Sequence, residues 1–297
     1  MATELVIEAT GLRKRYGANV ALDGVDLEMA RGEVLSLLGP NGAGKTTTVE
    51  ILEGYRRRDA GEALVLGEDP QRAGAAWRAR RGVVLQSCED VVDLTVSECV
   101  HHFAHFYPAP ARPEDVIERV GLTDKAGSRI RTLSGGQRRR LDVALGIVGR
   151  PELIFLDEPT TGFDPQARRQ FWDVVRGLAR EGTSILLTTH YLDEAEALAD
   201  RVAVINRGRV VANGPPAQLG GRQEAAAQVS WLGPDGWHHE ETDQPTALVH
   251  RLQEAFGGGE VPGLTVARPS LEDIYLRLIG EEASTMAGLA SAEEGRR

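Results

Sequence analysis

The run Val34-Leu35-Ser36-Leu37-Leu38 is almost wholly apolar and stops at Gly39. A strand covered on both faces reads this way, because neither face meets water. Further short apolar runs predict strands over 5–10, 62–66, 153–156, 184–188 and 202–205. Asn206-Arg207-Gly208 predicts a hairpin turn after the last of these, leading into a strand over 209–212. A helix is expected over 46–56, with Val49, Ile51 and Leu52 as its apolar contacts. From 88 to 150 the spacing becomes helical, over 96–106, 113–120 and 137–148, punctuated by Pro108, Pro110 and Gly121. That segment reads as a helical subdomain of about 88–150 inserted into a sheet-based core. Gly214-Pro215-Pro216 and Gly220-Gly221 then mark a boundary. The expected organisation is a main domain over 1–218, a small α+β accessory domain over 219–280, and a disordered tail over 281–297 rich in Ala, Glu, Ser and Gly. Within the accessory domain the pattern predicts elements at 225–231, 247–256 and 264–267, with a loop at Gly257-Gly258-Gly259.

Composition narrows the classes available. The chain has 297 residues, enough for one sizeable domain and an appendage. No stretch approaches the roughly 18 uninterrupted apolar residues of a membrane-spanning helix. Met1-Ala2-Thr3-Glu4 lacks the basic-then-apolar pattern of a secretory leader. A cytoplasmic chain is expected, with any membrane role supplied by a partner. The net charge of −10 argues against a nucleic-acid binder. From Leu219 onward 13 acidic residues face 6 arginines and no lysine, which puts −7 of that charge in the last quarter. Cys88 and Cys99 are expected to be free thiols.

The chemistry concentrates in two places. Gly39-Pro40-Asn41-Gly42-Ala43-Gly44-Lys45-Thr46 is a complete phosphate loop between a buried strand and a helix. Its glycines let backbone N–H groups converge on phosphate oxygens, and the helix adds its positive end. Lys45 brings a mobile cation to the same oxygens, and the Thr46 hydroxyl suits Mg²⁺. Downstream, the apolar strand at 153–156 ends in Asp157-Glu158. An Asp-Glu pair there can divide its work: Asp157 holds Mg²⁺ and Glu158 takes a proton from an attacking water. Between the two lies Leu133-Ser134-Gly135-Gly136-Gln137, with Ser134 placed to cap a helix and two glycines that allow close approach of a ligand.

This combination resembles the ATP-binding cassette (ABC) ATPases over residues 4–218. The resemblance implies a phosphate-loop, RecA-like α/β nucleotide-binding domain with an inserted helical subdomain and an N-terminal antiparallel β subdomain. It implies head-to-tail dimerisation with a second copy, in which Ser134, Gly135, Gly136 and Gln137 cover ATP bound on the other subunit. It further implies that Thr47 joins the phosphate loop and that Tyr16 stacks on adenine. Gln86 would sense Mg²⁺ and water, the loop Gly162-Phe163-Asp164-Pro165 would meet the opposite subunit, and His190 would hydrogen-bond the γ-phosphate. Many relatives carry Leu where this chain has Phe163, which is expected to be a tolerated packing change. The ending Pro269-Ser270-Leu271-Glu272-Asp273-Ile274-Tyr275-Leu276-Arg277-Leu278-Ile279-Gly280 resembles that of bacterial ABC-2-type exporter ATPases, the daunorubicin-resistance-like drug exporters among them. Arg138-Arg139-Arg140 fits the same group, and a solvated helix face explains the run equally well. The resemblance thus implies an ATPase, with ATP and Mg²⁺, that powers a separate multi-span permease from the inner face of the membrane and binds no nucleic acid. The rival is a soluble ABC ATPase acting on ribosomes or DNA, but the chain carries one cassette and no long heptad insertion.

Overall fold

The computed structural model describes residues 4–84, 93–222 and 224–280, and the chain packs as two compact units that divide between Asn213 and Gly214. The strands of the first unit are β1 (Leu5–Tyr16), β2 (Asn19–Ala30), β3 (Val34–Leu38), β4 (Ala60–Val65), β5 (Arg81–Val84), β6 (Leu153–Asp157), β7 (Ser184–Thr189), β8 (Arg201–Asn206) and β9 (Arg209–Gly214). Its helices are α1 (Lys45–Leu52), α2 (Ala75–Ala79), α3 (Val96–Ala104), α4 (Pro113–Arg119), α5 (Gly135–Ile147), α6 (Pro165–Arg180) and α7 (Leu192–Leu198). One sheet, ordered β2-β1-β4, is antiparallel. The other is ordered β5-β6-β7-β3-β8-β9, and its pairs from β5 to β8 are parallel.

The parallel strands send alternate side chains into two cores. Ile154 and Leu156 of β6, with Ile185 and Leu187 of β7, join Leu141 and Val143 of α5 and Phe171, Val175 and Leu178 of α6. Leu153 and Phe155, with Leu35 and Leu37 of β3, join Ile51 and Leu52 of α1 and Leu27 and Met29 of β2. The sheet is therefore the middle layer of three, which is why its strands read as unbroken apolar runs. Phe155 is fully buried, so truncating it to Ala costs about 3–5 kcal/mol. Where α5 crosses β5 there is no room for side chains. A Cβ added at Gly82 would stand 2.3 Å from the Gly146 carbonyl oxygen. This contact seats α5 directly on β5.

The structure lengthens or shortens several expected elements for identifiable reasons. β1 runs to Tyr16 instead of stopping at residue 10, passing Gly11 (φ 60°) in a bulge against β2. α1 ends at Leu52, four residues before the expected Arg56, because Gly54 turns to φ 75°. β2, α2, β5 and α6 are elements the sequence pattern did not predict.

The second unit holds a sheet ordered β11-β10-β12, from β10 (Ala227–Gly233), β11 (Gly236–Thr242) and β12 (Thr265–Ala267), with α8 (Pro245–Ala255). β11 is a further addition to the predicted elements. Val229, Leu248, Leu252 and Val261 form its small core. A helix, α9, spans 271–280. Ser270 caps it by accepting from the Asp273 N–H at 3.1 Å, while Asp273 accepts from the Ser270 N–H at 2.8 Å. Leu271 and Ile274 are buried, and Arg277 donates to the Gly220 carbonyl at 2.6 Å, so this ending packs back on its own unit.

Candidate nucleotide site

β3 delivers the chain into the phosphate loop at the carboxyl edge of the sheet, and α1 starts at Lys45. Gly44, the residue before α1, sits at φ 110°, where a side chain would strain the backbone. A Cβ there would also stand 2.7 Å from the Ala21 carbonyl oxygen. The Lys45 ammonium is buried and donates to the carbonyls of Gly39 at 2.8 Å and Pro40 at 3.3 Å. Burial lowers its pKa, while Glu158 and Asp157 oppose that shift.

β6 lies two strands away from β3 and ends at Asp157, with Glu158 next along the chain. Asp157 is registered with Thr188 of β7, and the Thr188 hydroxyl donates to its Oδ1. Glu158 then leaves the sheet at φ 42°, an uncommon conformation for a residue with a side chain. Its N–H donates to Thr188 at both Oγ1 (3.0 Å) and the carbonyl (3.2 Å). That turn aims the carboxylate at the loop: Oε1 lies 3.9 Å from Lys45 Nζ and Oε2 lies 3.3 Å from His190 Nδ1.

Tyr16, Asn41, Gly42, Gly44, Lys45, Thr46, Thr47 and Glu158 line one cavity of about 230 Å³, together with Asn19 and Ala21. Tyr16 is about two-fifths exposed, with the Arg56 guanidinium 5.1 Å from its ring centroid. Next to it, Thr46 and Asp157 share a second pocket of about 460 Å³ with Glu50, Glu53, Tyr55 and Arg81. Burial pushes Glu53 up to about 7, with Arg81 pulling the other way. Thr46 and Asp157 offer the hard oxygens that Mg²⁺ prefers. Among the described residues no group of three or more His, Cys, Asp or Glu could hold a metal alone.

Other expected residues lie elsewhere. Ser134 caps α5 in a reciprocal pair with Gln137: the Gln137 N–H donates to Ser134 Oγ at 3.3 Å and the Ser134 N–H to Gln137 Oε1 at 3.0 Å. Neither they nor Gly135 and Gly136 line the cavity. Asp164 spends its carboxylate on the N–H groups of Gln166 (2.9 Å) and Ala167 (2.8 Å) at the start of α6, and it too is outside the cavity. Phe163 packs edge-on against Phe171 with centroids 5.9 Å apart. Gln86 and Cys88 lie outside the described residues. Sequence reasoning missed Thr188 and gave Arg139 no role, although Arg139 is buried and bonds to the backbone around Glu158. Polar residues inside runs as apolar as 184–189, or buried within an arginine run, are the signal that could have flagged them.

A parallel strand, phosphate loop and helix, with a carboxylate pair emerging two strands away, define a phosphate-loop ATPase. Residues 22–161 match the family model described as ABC transporter. The chain belongs to the ATP-binding proteins of ABC transporters, and its enzymatic class is ATP hydrolysis. It is 40% identical to daunorubicin resistance ATP-binding protein DrrA3 of Streptomyces coeruleorubidus, over 94% of this chain and 97% of that one. It is 39% identical to Nod factor export ATP-binding protein I of Ralstonia nicotianae, over 93% of this chain and 94% of the relative. A bacterial ABC transporter cassette solved as a dimer matches its fold with a TM-score of 0.63 at 23% identity, covering 70% of this chain and 98% of that cassette.

Proposed function

We propose that two copies of this chain close head-to-tail around two MgATP and drive a separate multi-span permease that exports a hydrophobic, drug-like compound. The observation that carries the ATPase site is the convergence of Glu158, Lys45 and His190 beside the phosphate-loop cavity. The export direction rests on the ABC-2-like ending and on the relatives named for drug resistance and Nod factor export. The dimer reading is supported by the cavity itself. At about 230 Å³, and with Tyr16 exposed at its edge, it leaves a face that a second surface can cover. The exposed start of α5 at Ser134 and Gly135 offers that surface on a second copy.

In the proposed reaction Glu158 accepts a proton from a water that attacks the γ-phosphorus in line, and the bond to the β-γ bridging oxygen breaks to release ADP and phosphate. His190 orients the Glu158 carboxylate and reaches toward the γ-phosphate. Lys45 leaves its loop carbonyls for the β- and γ-oxygens, where its charge counts most in the transition state. Gln86 is proposed to sense Mg²⁺ and water, and the loop that carries Asp164 to contact the opposite subunit. Thr46 and Asp157 would hold Mg²⁺, which would supply neutralising charge at the phosphate. Residues 219–280 act as an accessory, dimer-stabilising domain, and the whole ATPase sits at the inner face of the cell membrane through its permease.

The test is a pull-down of tagged Glu158→Gln from detergent-solubilised native membranes with MgATP. Recovery of a multi-span membrane protein, dependent on MgATP, is the expected result. Recovery of ribosomes or DNA-processing proteins, with no permease, would overturn the exporter reading.

A further inference from the structure

We propose that Arg139 is a positioning residue for ATP hydrolysis, clamping the backbone on both sides of Glu158. This rests on the reading of Glu158 as the base. The Arg139 guanidinium donates from Nη2 to the Asp157 carbonyl at 2.9 Å and from Nε to the Pro159 carbonyl at 3.1 Å. These carbonyls belong to the residues immediately before and after Glu158. Glu158 itself occupies φ 42°, a conformation that is costly for a residue with a Cβ and persists only where surroundings over-determine it. Thr188 fixes the Glu158 N–H from one side, and Arg139 fixes the neighbouring carbonyls from the other. The arginine is itself held: it is 6% exposed, and its Nη1 faces the buried Asp142 carboxylate at 3.8 Å.

Two features make this more than packing. First, the planar fork of an arginine presents two separate nitrogens to two acceptors at a fixed spacing, whereas a lysine has only one nitrogen to place. Second, Arg139 stands on α5, five residues after Ser134. The helix whose capped start is proposed to cover the other subunit's nucleotide therefore carries the side chain that sets the base of its own. A displacement of the start of α5 is transmitted to the Glu158 turn through two hydrogen bonds. Closure of the dimer and alignment of the base are one event in this geometry.

The test uses the purified full chain with Arg139→Met and Arg139→Lys, measuring steady-state ATP turnover, ATP affinity and thermal midpoint. Met keeps the stem and removes both bonds, and Lys can reach one carbonyl. The expected result is a kcat lowered by on the order of 10- to 100-fold in the Met variant, with ATP affinity within about 3-fold of wild type, because a misplaced base costs the chemical step and not binding. Lys should restore turnover only in part. If Arg139→Met does not fold, the Lys variant carries the test alone: reduced kcat with retained affinity supports the clamp. Wild-type turnover in either variant overturns it, as does a parallel fall of affinity and turnover. Glu158→Gln is measured beside them. Normal turnover in that variant removes the base assignment itself, whereas an inert Glu158→Gln with a fully active Arg139→Met removes only the clamp.

Discussion

Replacing Thr188 with Val tests the end of β6 where its two carboxylate residues diverge. Thr188 is fully buried, and its hydroxyl makes two bonds: it donates to Asp157 Oδ1 and accepts from the Glu158 N–H. Val fills almost the same space, so the cost arises from lost bonding rather than from a cavity. The bond to the ionised carboxylate contributes about 1.5–3 kcal/mol and the neutral one about 0.5–1.5 kcal/mol. The Glu158 N–H keeps its 3.2 Å bond to the Thr188 carbonyl, which offsets part of the second loss. The net destabilisation expected is about 2–4 kcal/mol, or a fall of about 5–15 °C in the thermal midpoint. Turnover should drop as well, because Asp157 loses its fixed orientation and Glu158 one of its two backbone anchors. Thr188→Ser, which keeps the hydroxyl, should recover most of both. The assay pairs thermal melting with steady-state ATP hydrolysis. A Val variant with the wild-type midpoint and rate would refute the reasoning, since the hydroxyl would then organise nothing.

Further outcomes follow from the same geometry. Lys45→Ala should abolish ATP binding and hydrolysis, read by calorimetry and phosphate release, because Lys45 places its cation against the phosphate loop's own carbonyls. Gly82→Ala should destabilise the chain strongly or prevent folding, because its methyl group would collide with the Gly146 carbonyl; denaturant unfolding measures this. Burial raises Glu53 to about 7, so the folded state holds a proton there that the unfolded state releases near 4.5. That contribution to stability is complete below about 4.5 and is lost as pH rises through about 7. Glu53→Gln should flatten the pH dependence of unfolding across this window. Deletion from Leu219 onward should leave ATP binding intact while weakening association with the permease, and loss of nucleotide binding in the truncated chain would contradict the proposed domain boundary.

What the sequence reveals and what it hides divide along physical lines. The run at 34–38 and the following glycines are local signals, so β3, the phosphate loop and α1 could be read directly. The same holds for the Ser134 cap and for the strand ending in Asp157. β2 was hidden because register shifts in its pairing with β1 interrupt strict alternation, although Leu22, Val25, Leu27 and Met29 are all buried. α6 carries an Asp164 cap, Pro165 in its first turn and buried Phe171, Val175 and Leu178, so its signals were present in the sequence without being among the predicted elements. The positive φ of Glu158 could not be read at all. It is held by Arg139, 19 residues earlier, and Thr188, 30 residues later. No pattern within the Asp157-Glu158-Pro159 segment encodes those partners, and the reach of Glu158 toward Lys45 and His190 depends on them.

The most direct measurement of the central claim is sizing of Glu158→Gln with and without MgATP, alongside its rate of ATP hydrolysis. The account predicts an inactive variant that binds ATP and accumulates as a dimer only when MgATP is present. A variant that stays monomeric with MgATP bound, or that hydrolyses ATP at the wild-type rate, would contradict it.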